Sequence, residues 1–345
     1  MAYTTIPKST AQFNTKLYTG NYSTNAITAV GFQPDLTWIK SRTTAGEDHY
    51  LFDAIRGVTN YIHSNTSAAQ GTNSATLTTF GSDGFTVGAN NSVNKSSDSL
   101  VSWNWKANGQ GSANTDGTIN STYTSANTTS GFSIVQYTGN GTAGATVGHG
   151  LGAAVKTIII KKYNTSSDWV YGSSGMGFTK YMNLNSTGAE SAYAGMFNDT
   201  APTSSVFTLG ADGQVNTNGG TYVAYCFADV QGFSKIGSYI GNGNANGTFA
   251  YTGFKPAFIL VKNTGSVRNW QIYDSKRIGY NYNNYRLPPN TAGSEESNLN
   301  IDIYSNGFKT LATDADVNEN AKTYIFLAFA EEPLVSTNGQ PATAR

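Results

Sequence analysis

The sequence repeats itself three times, and this repetition constrains the fold more than any local motif. The first landmark is a tyrosine followed by a turn, reading YTGN at Tyr18, YTGN at Tyr137 and YIGN at Tyr239. These tyrosines are 119 and 102 positions apart. Two further landmarks recur in the same order at nearly the same separations, which excludes chance. The three segments are therefore predicted to be three copies of one structural unit.

The second landmark is an apolar run that ends in lysine, at Lys40, Lys161 and Lys262, with separations of 121 and 101. The third landmark is a Val-Asn pair followed by an aromatic-rich strand, with separations of 122 and 102. The pairs are Val93 with Asn94, Val215 with Asn216, and Val317 with Asn318. A tryptophan follows the lysine in the second and third copies, at Trp169 and Trp270, and the first copy carries YLFD around Tyr50 at this place.

The segments that close each copy, LVSWNW, YVAYCF and YIFLAF, are typical of buried strands. In the first of them Val101, Trp103 and Trp105 fall on one face at the two-residue period of a strand. Strand candidates follow one another every eight to twelve residues, with Gly, Asn, Ser or Asp between them. No segment carries a sustained helical stripe. The pattern predicts an all-β protein built from three tandem antiparallel β-sandwich or jelly-roll domains.

These landmarks set the predicted domain boundaries. The segment between the first two copies is rich in Gly, Ser, Thr and Asn, which predicts a flexible or extended linker that lets the first domain take its own angle. The second and third copies meet directly around Gly232 and are expected to pack closely. The predicted boundaries are an N-terminal arm 1–12, repeat 1 at 13–106, a linker 107–130, repeat 2 at 131–231, repeat 3 at 232–332 and a C-terminal tail 333–345.

Composition excludes several classes of protein. Lys and Arg number 21 and Asp and Glu number 21, so the formal charge is zero and a phosphate-binding basic face is not expected. No apolar stretch approaches the 18 residues of a membrane span, and the N-terminus carries no signal-peptide pattern. The single cysteine, Cys226, lies in an apolar run and is predicted to be a buried small side chain. The chain is therefore expected to be made in a cytoplasm, without disulfides and without membrane insertion.

Paired carboxylates, which glycoside hydrolysis requires, are represented only by Asp314 and Asp316. Their two-residue spacing is suitable, but ATDADVNEN has the composition of a turn, and neither other repeat has an equivalent pair. A solvated turn with a weak Ca²⁺ preference is the favoured interpretation. No catalytic residue is predicted, and the protein is predicted not to be an enzyme.

The three histidines, His49, His63 and His149, are far apart in sequence and lack zinc-ligand spacing. His149 lies in VGHGLG and is interpreted as a hydrogen-bonding turn residue. The glycine-rich loops are not followed by a helix with the phosphate-binding motif. We therefore predict neither a metal nor a cofactor. A Ser-His-Asp triad stays open, because its members meet only in space.

One aromatic loop, IGYNYNNYRLPPN, stands out as a candidate contact surface. It contains Tyr280, Tyr282, Tyr285 and Arg286. Three interpretations are open for these side chains. They could contact another subunit, pack within the third domain, or stack on a sugar ring, and the first is favoured.

Several strings resemble one family. FDAIRG, FGSDGFTVG, SWNWKANG, TVGHGLG and the ending FAEEPLVSTNGQPATAR resemble repeated concanavalin-A-like modules in virion structural proteins of marine tailed bacteriophages, especially those that infect cyanobacteria. The resemblance covers nearly the whole chain from about Phe13. The second copy departs from the pattern, because it lacks the proline that precedes the strand at Pro34 and Pro256 in the other copies.

This resemblance implies a concanavalin-A-like jelly roll for each domain and a place in the virion after synthesis in the host cytoplasm. It implies a non-enzymatic structural protein, most simply a tail fibre or appendage that contributes to host attachment. The N-terminal arm would attach the chain to other tail or capsid proteins. The chain would form a homo-oligomer, with a trimer favoured, and would contact a glycan or protein of the host surface. Nucleic acid is not an expected partner.

Two alternatives stay open. A capsid decoration or cement protein would clamp neighbouring shell subunits through large apolar contacts. A polysaccharide-degrading enzyme on the same lectin-like sandwich would need facing carboxylates in a cleft, for which Asp314 and Asp316 are the candidates. Fold analogy alone does not separate these functions.

Overall fold

The computed structural model describes residues 3–277, 285–297, 301–335 and 338–339. The chain is all-β, with 42% strand and 6% helix, and its strands form several antiparallel sheets. The all-β class predicted from the repeats is therefore confirmed. No described helix has the length and hydropathy of a membrane span.

Repeat 1 pairs a large sheet with a small one. The large sheet has the strand order β1-β9-β3-β4-β5-β6, and the small sheet has the order β2-β8-β7. The elements are β1 (Phe13–Thr19), β2 (Asn25–Ile27), β3 (Leu36–Ser41), β4 (Tyr50–Asp53), β5 (Asn60–His63), β6 (Gly71–Thr72), β7 (Leu77–Gly81), β8 (Gly84–Val87), the short helix α1 (Asn91–Asn94) and β9 (Ser99–Trp105), preceded by a 3₁₀ turn at Ser9–Ala11.

Repeat 2 has the same plan. Its large sheet has the order β10-β11-β18-β13-β14-β15-β16, and its small sheet pairs β12 with β17. The elements are β10 (Tyr123–Asn127), β11 (Phe132–Thr138), β12 (Ala145–Gly148), β13 (Thr157–Lys162), β14 (Trp169–Ser173), β15 (Lys180–Asn183), β16 (Ser191–Ala192), α2 (Ala194–Phe197), β17 (Val206–Leu209), α3 (Gly213–Asn216) and β18 (Thr221–Phe227).

Repeat 3 also has this plan. Its large sheet has the order β19-β27-β21-β22, its small sheet has the order β20-β26-β25, and β23 and β24 form a short pair. The elements are β19 (Ser234–Ile240), β20 (Phe249–Tyr251), β21 (Phe254–Asn263), β22 (Gln271–Asp274), β23 (Tyr285–Arg286), β24 (Glu296–Ser297), β25 (Ile301–Tyr304), β26 (Gly307–Thr310), α4 (Ala315–Asn318) and β27 (Thr323–Pro333).

The central strands of each large sheet are buried on both faces, because alternate side chains enter two different cores. On β13, Ile158 and Ile160 pack in the inner core of repeat 2, whereas Ile159 packs in a core that all three repeats share. Val101 and Trp103 of β9 also enter this shared core together, as their period of two predicts. Each repeat is thus sandwich-like, and its large sheet has a second apolar face to cover.

The shared core lies where the three large sheets meet. Strand register makes Trp103, Tyr225 and Leu327 equivalent positions on the three closing strands, and all three are buried there. A small apolar cavity of about 20 Å³ at this place is lined by side chains from every repeat. The three repeats therefore form one body around a common centre, in which the first repeat is fixed against the other two.

Neighbouring repeats contact each other head to tail, and the contacts close into a ring. Two backbone hydrogen bonds recur at equivalent positions in all three junctions. The first is donated by Gln70 N to Tyr163 O, by Glu190 N to Thr264 O and by Glu295 N to Arg42 O, each at 2.8 Å. The second is donated by Ser167 N to Ser67 O at 2.8 Å, by Arg268 N to Thr187 O at 3.0 Å and by Gly46 N to Ala292 O at 2.8 Å.

The segment 107–130 does not form the free linker expected from its composition. Its residues 123–127 form β10, which pairs with β11 over five residues. Ile119 is buried and forms a bridge with Val147 of the small sheet. The abundant Ser, Thr and Asn side chains satisfy these backbone turns, as when Asn114 N donates to Ser121 Oγ at 2.8 Å.

The N-terminal segment packs on repeat 3. Thr4 and Ile6 are buried, and the Tyr3 hydroxyl donates to Gly253 O at 2.7 Å. Gly232 has a positive φ of 75°, and a Cβ built there would lie 2.9 Å from the Thr4 Cβ. The described part of the predicted arm is therefore folded onto its own chain.

Candidate functional site

The sequence landmarks are parts of one structural clamp in each repeat. The hydroxyl of each landmark tyrosine donates to the backbone oxygen of the valine in the Val-Asn pair. The distances are 2.7 Å for Tyr18 to Val93, 2.8 Å for Tyr137 to Val215 and 2.7 Å for Tyr239 to Val317. Burial raises the pKa of all three hydroxyls well above the ordinary value. They therefore stay protonated as donors.

The asparagine of the pair holds the turn that follows the tyrosine. Asn216 is fully buried, and its Oδ1 accepts from Asn140 N at 2.9 Å. Its Nδ2 donates to Thr142 O and Gly210 O, both at 2.9 Å. Asn94 and Asn318 make the equivalent bonds to their own turns. An amide suits this position because one side chain must accept a hydrogen bond and donate two, whereas a hydroxyl has only one proton to donate.

The three landmark lysines are fully buried, and burial lowers the pKa of each to about 8. Lys161 Nζ donates to Ser67 O of the neighbouring repeat at 2.9 Å, and Lys262 Nζ donates to Asn263 O at 2.7 Å. Lys40 Nζ makes no hydrogen bond to the described part of the chain. The acidic side chains nearest it, Glu47, Asp48 and Asp98, act on it through charge alone.

Strand register corrects one sequence alignment. Lys161 lies opposite Trp169, and the pairing of Ile39 with Tyr50 puts His49 opposite Lys40. The position of the tryptophan is therefore occupied in repeat 1 by His49, and not by the segment around Tyr50. All three side chains reach a backbone oxygen of the next repeat. The distances are 2.8 Å from Trp169 Nε1 to His63 O, 3.1 Å from Trp270 Nε1 to Asn183 O and 3.2 Å from His49 Nε2 to Pro288 O.

His49 is held neutral by its surroundings. The Trp38 indole donates to His49 Nδ1 at 2.9 Å, so the ring proton must be on Nε2, which faces Pro288 O. The ring stacks on Trp103 at 6.5 Å and is fully buried. Burial lowers the pKa of His49 well below the ordinary value, and the charges of Lys40 and other nearby cations lower it further.

Two buried ion pairs face the shared core. Arg56 Nε donates to Asp53 Oδ2 at 2.6 Å, and Arg277 Nε donates to Asp274 Oδ2 at 2.6 Å. The acceptor oxygen in each pair also binds a side chain of the adjoining repeat. These bonds run from Tyr225 to Asp53 at 2.8 Å and from Trp103 to Asp274 at 3.0 Å.

Repeat 2 lacks this ion pair, and register explains why. Ser173 and Met176 occupy the positions of the aspartate and arginine, and the adjoining repeat presents Leu327 where the other junctions present Tyr225 or Trp103. Leucine has no donor that a buried carboxylate could bind. The donor, acceptor and arginine are therefore present together or replaced together.

The predicted contact loop is described only in part. Tyr280 and Tyr282 lie outside the described residues. Tyr285 and Arg286 form β23, which pairs with β24, and both are half-buried. The intermolecular, intradomain and sugar-binding interpretations of this loop stay predictions.

Arg286 and the candidate carboxylates form one cluster at the edge of repeat 3. The guanidinium contacts Glu296 at 2.8 Å, Asp314 at 3.2 Å and Asp316 at 3.1 Å. Asp314 also caps α4 by accepting from Asp316 N at 2.8 Å. Burial, and next the charge of Asp314, raise the pKa of Asp316. The two aspartates considered as a catalytic pair from the sequence are thus both bound by the arginine of the predicted contact loop.

His149 has the environment of a turn residue, since Leu151 N donates to its Nδ1 at 3.3 Å and Nε2 lies 3.3 Å from Thr203 O. Cys226 is buried in the inner core of repeat 2, and burial raises the pKa of its thiol. Among the described residues, no group of three or more His, Cys, Asp and Glu side chains could hold a metal ion.

A surface that the sequence analysis missed lies on the small sheet of repeat 3. Phe249, Tyr251 and Tyr304 are 42%, 55% and 40% exposed, and the first and last rings are 6.0 Å apart. We call these three residues the aromatic face. By strand register its β20 positions hold Ala26 and Thr28 in repeat 1, and Thr146 and Gly148 in repeat 2, so the fold itself does not require aromatic residues there.

Comparison with known proteins places the chain in one family. The profile of a domain of unknown function, DUF7483, matches residues 8–333. This match spans all three repeats and the junctions between them. No curated protein matches the chain. No solved structure matches it either. The chain therefore belongs to the DUF7483 family, a domain of unknown function.

Proposed function

We propose that this chain is a non-enzymatic structural protein of a bacteriophage virion, and that it forms part of a tail fibre or appendage that contacts the host surface. The proposal starts from the resemblance of its repeats to virion modules. It includes a concanavalin-A-like jelly roll for each of the three sandwich-like repeats.

The observation that carries the proposal is the closure of three repeats into one body. Equivalent backbone bonds join all three junctions, and the large sheets share a core. A structural component benefits from such closure because no repeat can separate without exposing apolar surface. The carboxylates Asp314 and Asp316 are both engaged by Arg286, which favours a structural role over acid catalysis at this cluster.

The aromatic face is the surface best suited to contact a partner. Aromatic residues occupy its β20 positions in repeat 3 alone, although equivalent positions exist in all three repeats. Exposed aromatic side chains are favoured at protein interfaces. In the proposed homo-oligomer this face, or the loop that holds Tyr285, would contact a neighbouring subunit or a host-surface molecule. Attachment through the N-terminus would use exposed side chains of the packed arm.

Immunogold labelling of intact virions with an antibody to this chain tests the proposal. We expect label on the tail or its fibres. Label spread over the head would support the capsid decoration alternative and overturn the assignment to the tail. Virions without label would overturn the proposed function itself.

The proposed contact surface can be tested separately. Replacing Phe249 and Tyr251 with alanine should reduce adsorption or oligomer formation, because the exposed rings are lost while the core is untouched. Tyr193→Ala removes a tyrosine of repeat 2 with 48% exposure and is the matched control. Unchanged adsorption and unchanged oligomer mass in the double variant would exclude the aromatic face as the contact.

A further inference from the structure

The ring has one junction that the chain does not bridge. Residues 107–130 connect repeats 1 and 2, and repeats 2 and 3 meet directly around Gly232. The junction between repeats 3 and 1 is held by noncovalent contacts alone. They join residues 41–64 of repeat 1 to residues 274–277 and 285–295 of repeat 3, and they include the Trp103–Asp274 hydrogen bond and the packing of the N-terminal arm on repeat 3. We call this junction the seam. Opening at the seam separates two repeats that no linker tethers to each other.

The seam also carries more charge than the other two junctions. Arg42 forms a two-bonded ion pair with Glu295, at 2.8 and 3.0 Å, and Glu295 also contacts Arg277 at 3.2 Å. Tyr163 and Thr264 occupy the position of Arg42 in the other junctions. The contact from Lys161 to a neighbouring backbone oxygen has no counterpart at Lys40 among the described residues.

His49 replaces tryptophan at the seam, and a second residue compensates for the change in size. At these two neighbouring positions repeats 2 and 3 have an aliphatic residue and a tryptophan, Ile159 with Trp169 and Leu260 with Trp270. Repeat 1 has the tryptophan at the first position and the histidine at the second, Trp38 with His49. The volume is thus exchanged between two neighbouring positions. Only the seam gains an ionisable ring from this exchange.

The closed seam disfavours a second proton on the imidazole of His49. In an imidazolium both nitrogens are donors, so a proton on Nδ1 would face the N–H of Trp38 at 2.9 Å. The closest charged side chains oppose it too, since Lys40 and Arg277 are cationic and His63 is titratable. The nearby acids have other partners, because Asp48 accepts a hydrogen bond from Asn65 Nδ2 at 2.6 Å and Asp274 binds Arg277. Glu47, two residues before His49, acts on the charge of Lys40.

Opening the seam would release these restraints, and water would solvate the imidazole of His49. His49 would then titrate with the ordinary histidine pKa of about 6.5, whereas in the closed seam its pKa is well below that value. The open form therefore binds a proton that the closed form does not. Below about pH 6.5 the closed-to-open ratio falls roughly tenfold per pH unit, until the pKa of the closed form is reached.

We propose that protonation of His49 opens the seam in acid, and that a second copy of the chain can close it when the pH returns to neutral. The second copy is the partner that fits, because its repeat 3 carries the surface that already complements repeat 1. A head-to-tail contact of this kind can be made within a chain or between chains with the same bonds. This proposal does not rest on the proposed virion function.

Amide hydrogen exchange tests the opening, with internal controls that the ring itself provides. The amides of Gly46 and Glu295 report on the seam. Their equivalents report on the other junctions and are Ser167 and Gln70 between repeats 1 and 2, and Arg268 and Glu190 between repeats 2 and 3. After correction for intrinsic exchange, lowering the pH from 7 to about 5 should reduce protection at the seam amides about tenfold or more relative to these controls. Equal changes at all three junctions would overturn the proposal.

A matched double variant removes the proton site. Trp38→Leu with His49→Trp copies the residue pair of repeat 3, and the new indole would donate to Pro288 O. We expect this variant to lose the acid-dependent difference between the seam and its controls. The comparison of amides within the natural chain needs no variant, so the proposal stays testable even if the variant folds poorly.

Exchange between chains is tested by an acid pulse at high protein concentration, followed by neutralisation and light scattering on a sizing column. The natural chain should yield a dimer, and the double variant should remain as it was before the pulse. A dimer in equal amount from both chains would overturn the role of His49. Selective opening without any new dimer would overturn the role of the second copy.

Discussion

Single residues show most clearly which features the fold demands, because each clamp is present three times. The tyrosine, the valine oxygen it binds and the buried asparagine keep their geometry in repeats that otherwise differ. Positions that change, such as His49, change together with a neighbour. Three copies in one chain thus separate what folding requires from what one repeat has added.

The asparagine clamp predicts a large loss of stability from one substitution. Asn216→Ala should lower the free energy of unfolding by about 2 to 4 kcal/mol, because the amide N–H of Asn140 and two carbonyl oxygens lose a buried partner. Urea unfolding measures the change. Asn120→Ala, at an exposed position, is the control and should change stability by less than about 0.5 kcal/mol. Equal effects of the two substitutions would contradict the clamp.

The sequence was sufficient to find the clamp residues but not their role. Tyr137 and Val215 are 78 positions apart, so their contact depends on the pairing of whole strands. His49 was missed for a related reason. The repeats differ in loop length between β3 and β4, and only strand register shows which residue lies opposite Lys40.

At the junctions between repeats, residues that contact each other are replaced together. The trio of Asp53, Arg56 and Tyr225 at one junction corresponds to Ser173, Met176 and Leu327 at another. A buried carboxylate needs a donor, and a buried arginine needs a carboxylate. A junction that combines residues from the two sets should therefore be less stable than one with either set complete.

A substitution at Tyr225 combines residues of the two sets. Tyr225→Leu should destabilise the chain by about 3 to 5 kcal/mol, because Asp53 loses a hydrogen bond and a cavity opens in the shared core. Adding Asp53→Ser and Arg56→Met copies the solution of repeat 2 and should recover half of that loss or more. Denaturant midpoints of the single and triple variants give the comparison. A triple variant less stable than Tyr225→Leu would show that the trio does not act as a unit.

Alternation predicted the strands well, since Val101 and Trp103 point to one face as their spacing requires. It could not predict what covers that face. A strand buried on both sides has the same sequence pattern in a single sandwich as in a sheet that also packs on two other repeats. The composition of residues 107–130 misled for a similar reason, because Ser, Thr and Asn serve ordered turns as well as flexible chain.

At the scale of the whole molecule, a closed ring should unfold as one unit. The large sheets of all three repeats meet in the shared core, so the loss of one repeat exposes the apolar face of the other two. We expect one calorimetric transition whose measured enthalpy equals the van't Hoff enthalpy. Independent domains would give three overlapping transitions and a van't Hoff enthalpy about a third of the total.

Cys226 supplies a direct probe of that cooperativity. Its thiol is buried, and burial raises its pKa, so a thiol reagent should not modify the native chain. If the ring unfolds as one unit, reagent in excess should modify Cys226 at the global unfolding rate. In a chain with Trp169→Phe and Trp270→Phe, whose remaining tryptophans all lie in repeat 1, tryptophan fluorescence should change at that same rate. A Cys226→Ala chain labelled at a cysteine placed at exposed Ser23 controls for the chemistry of the reagent. Modification of Cys226 well before the fluorescence changes would mean that repeat 2 opens alone, and the ring would then be three domains in contact rather than one cooperative body.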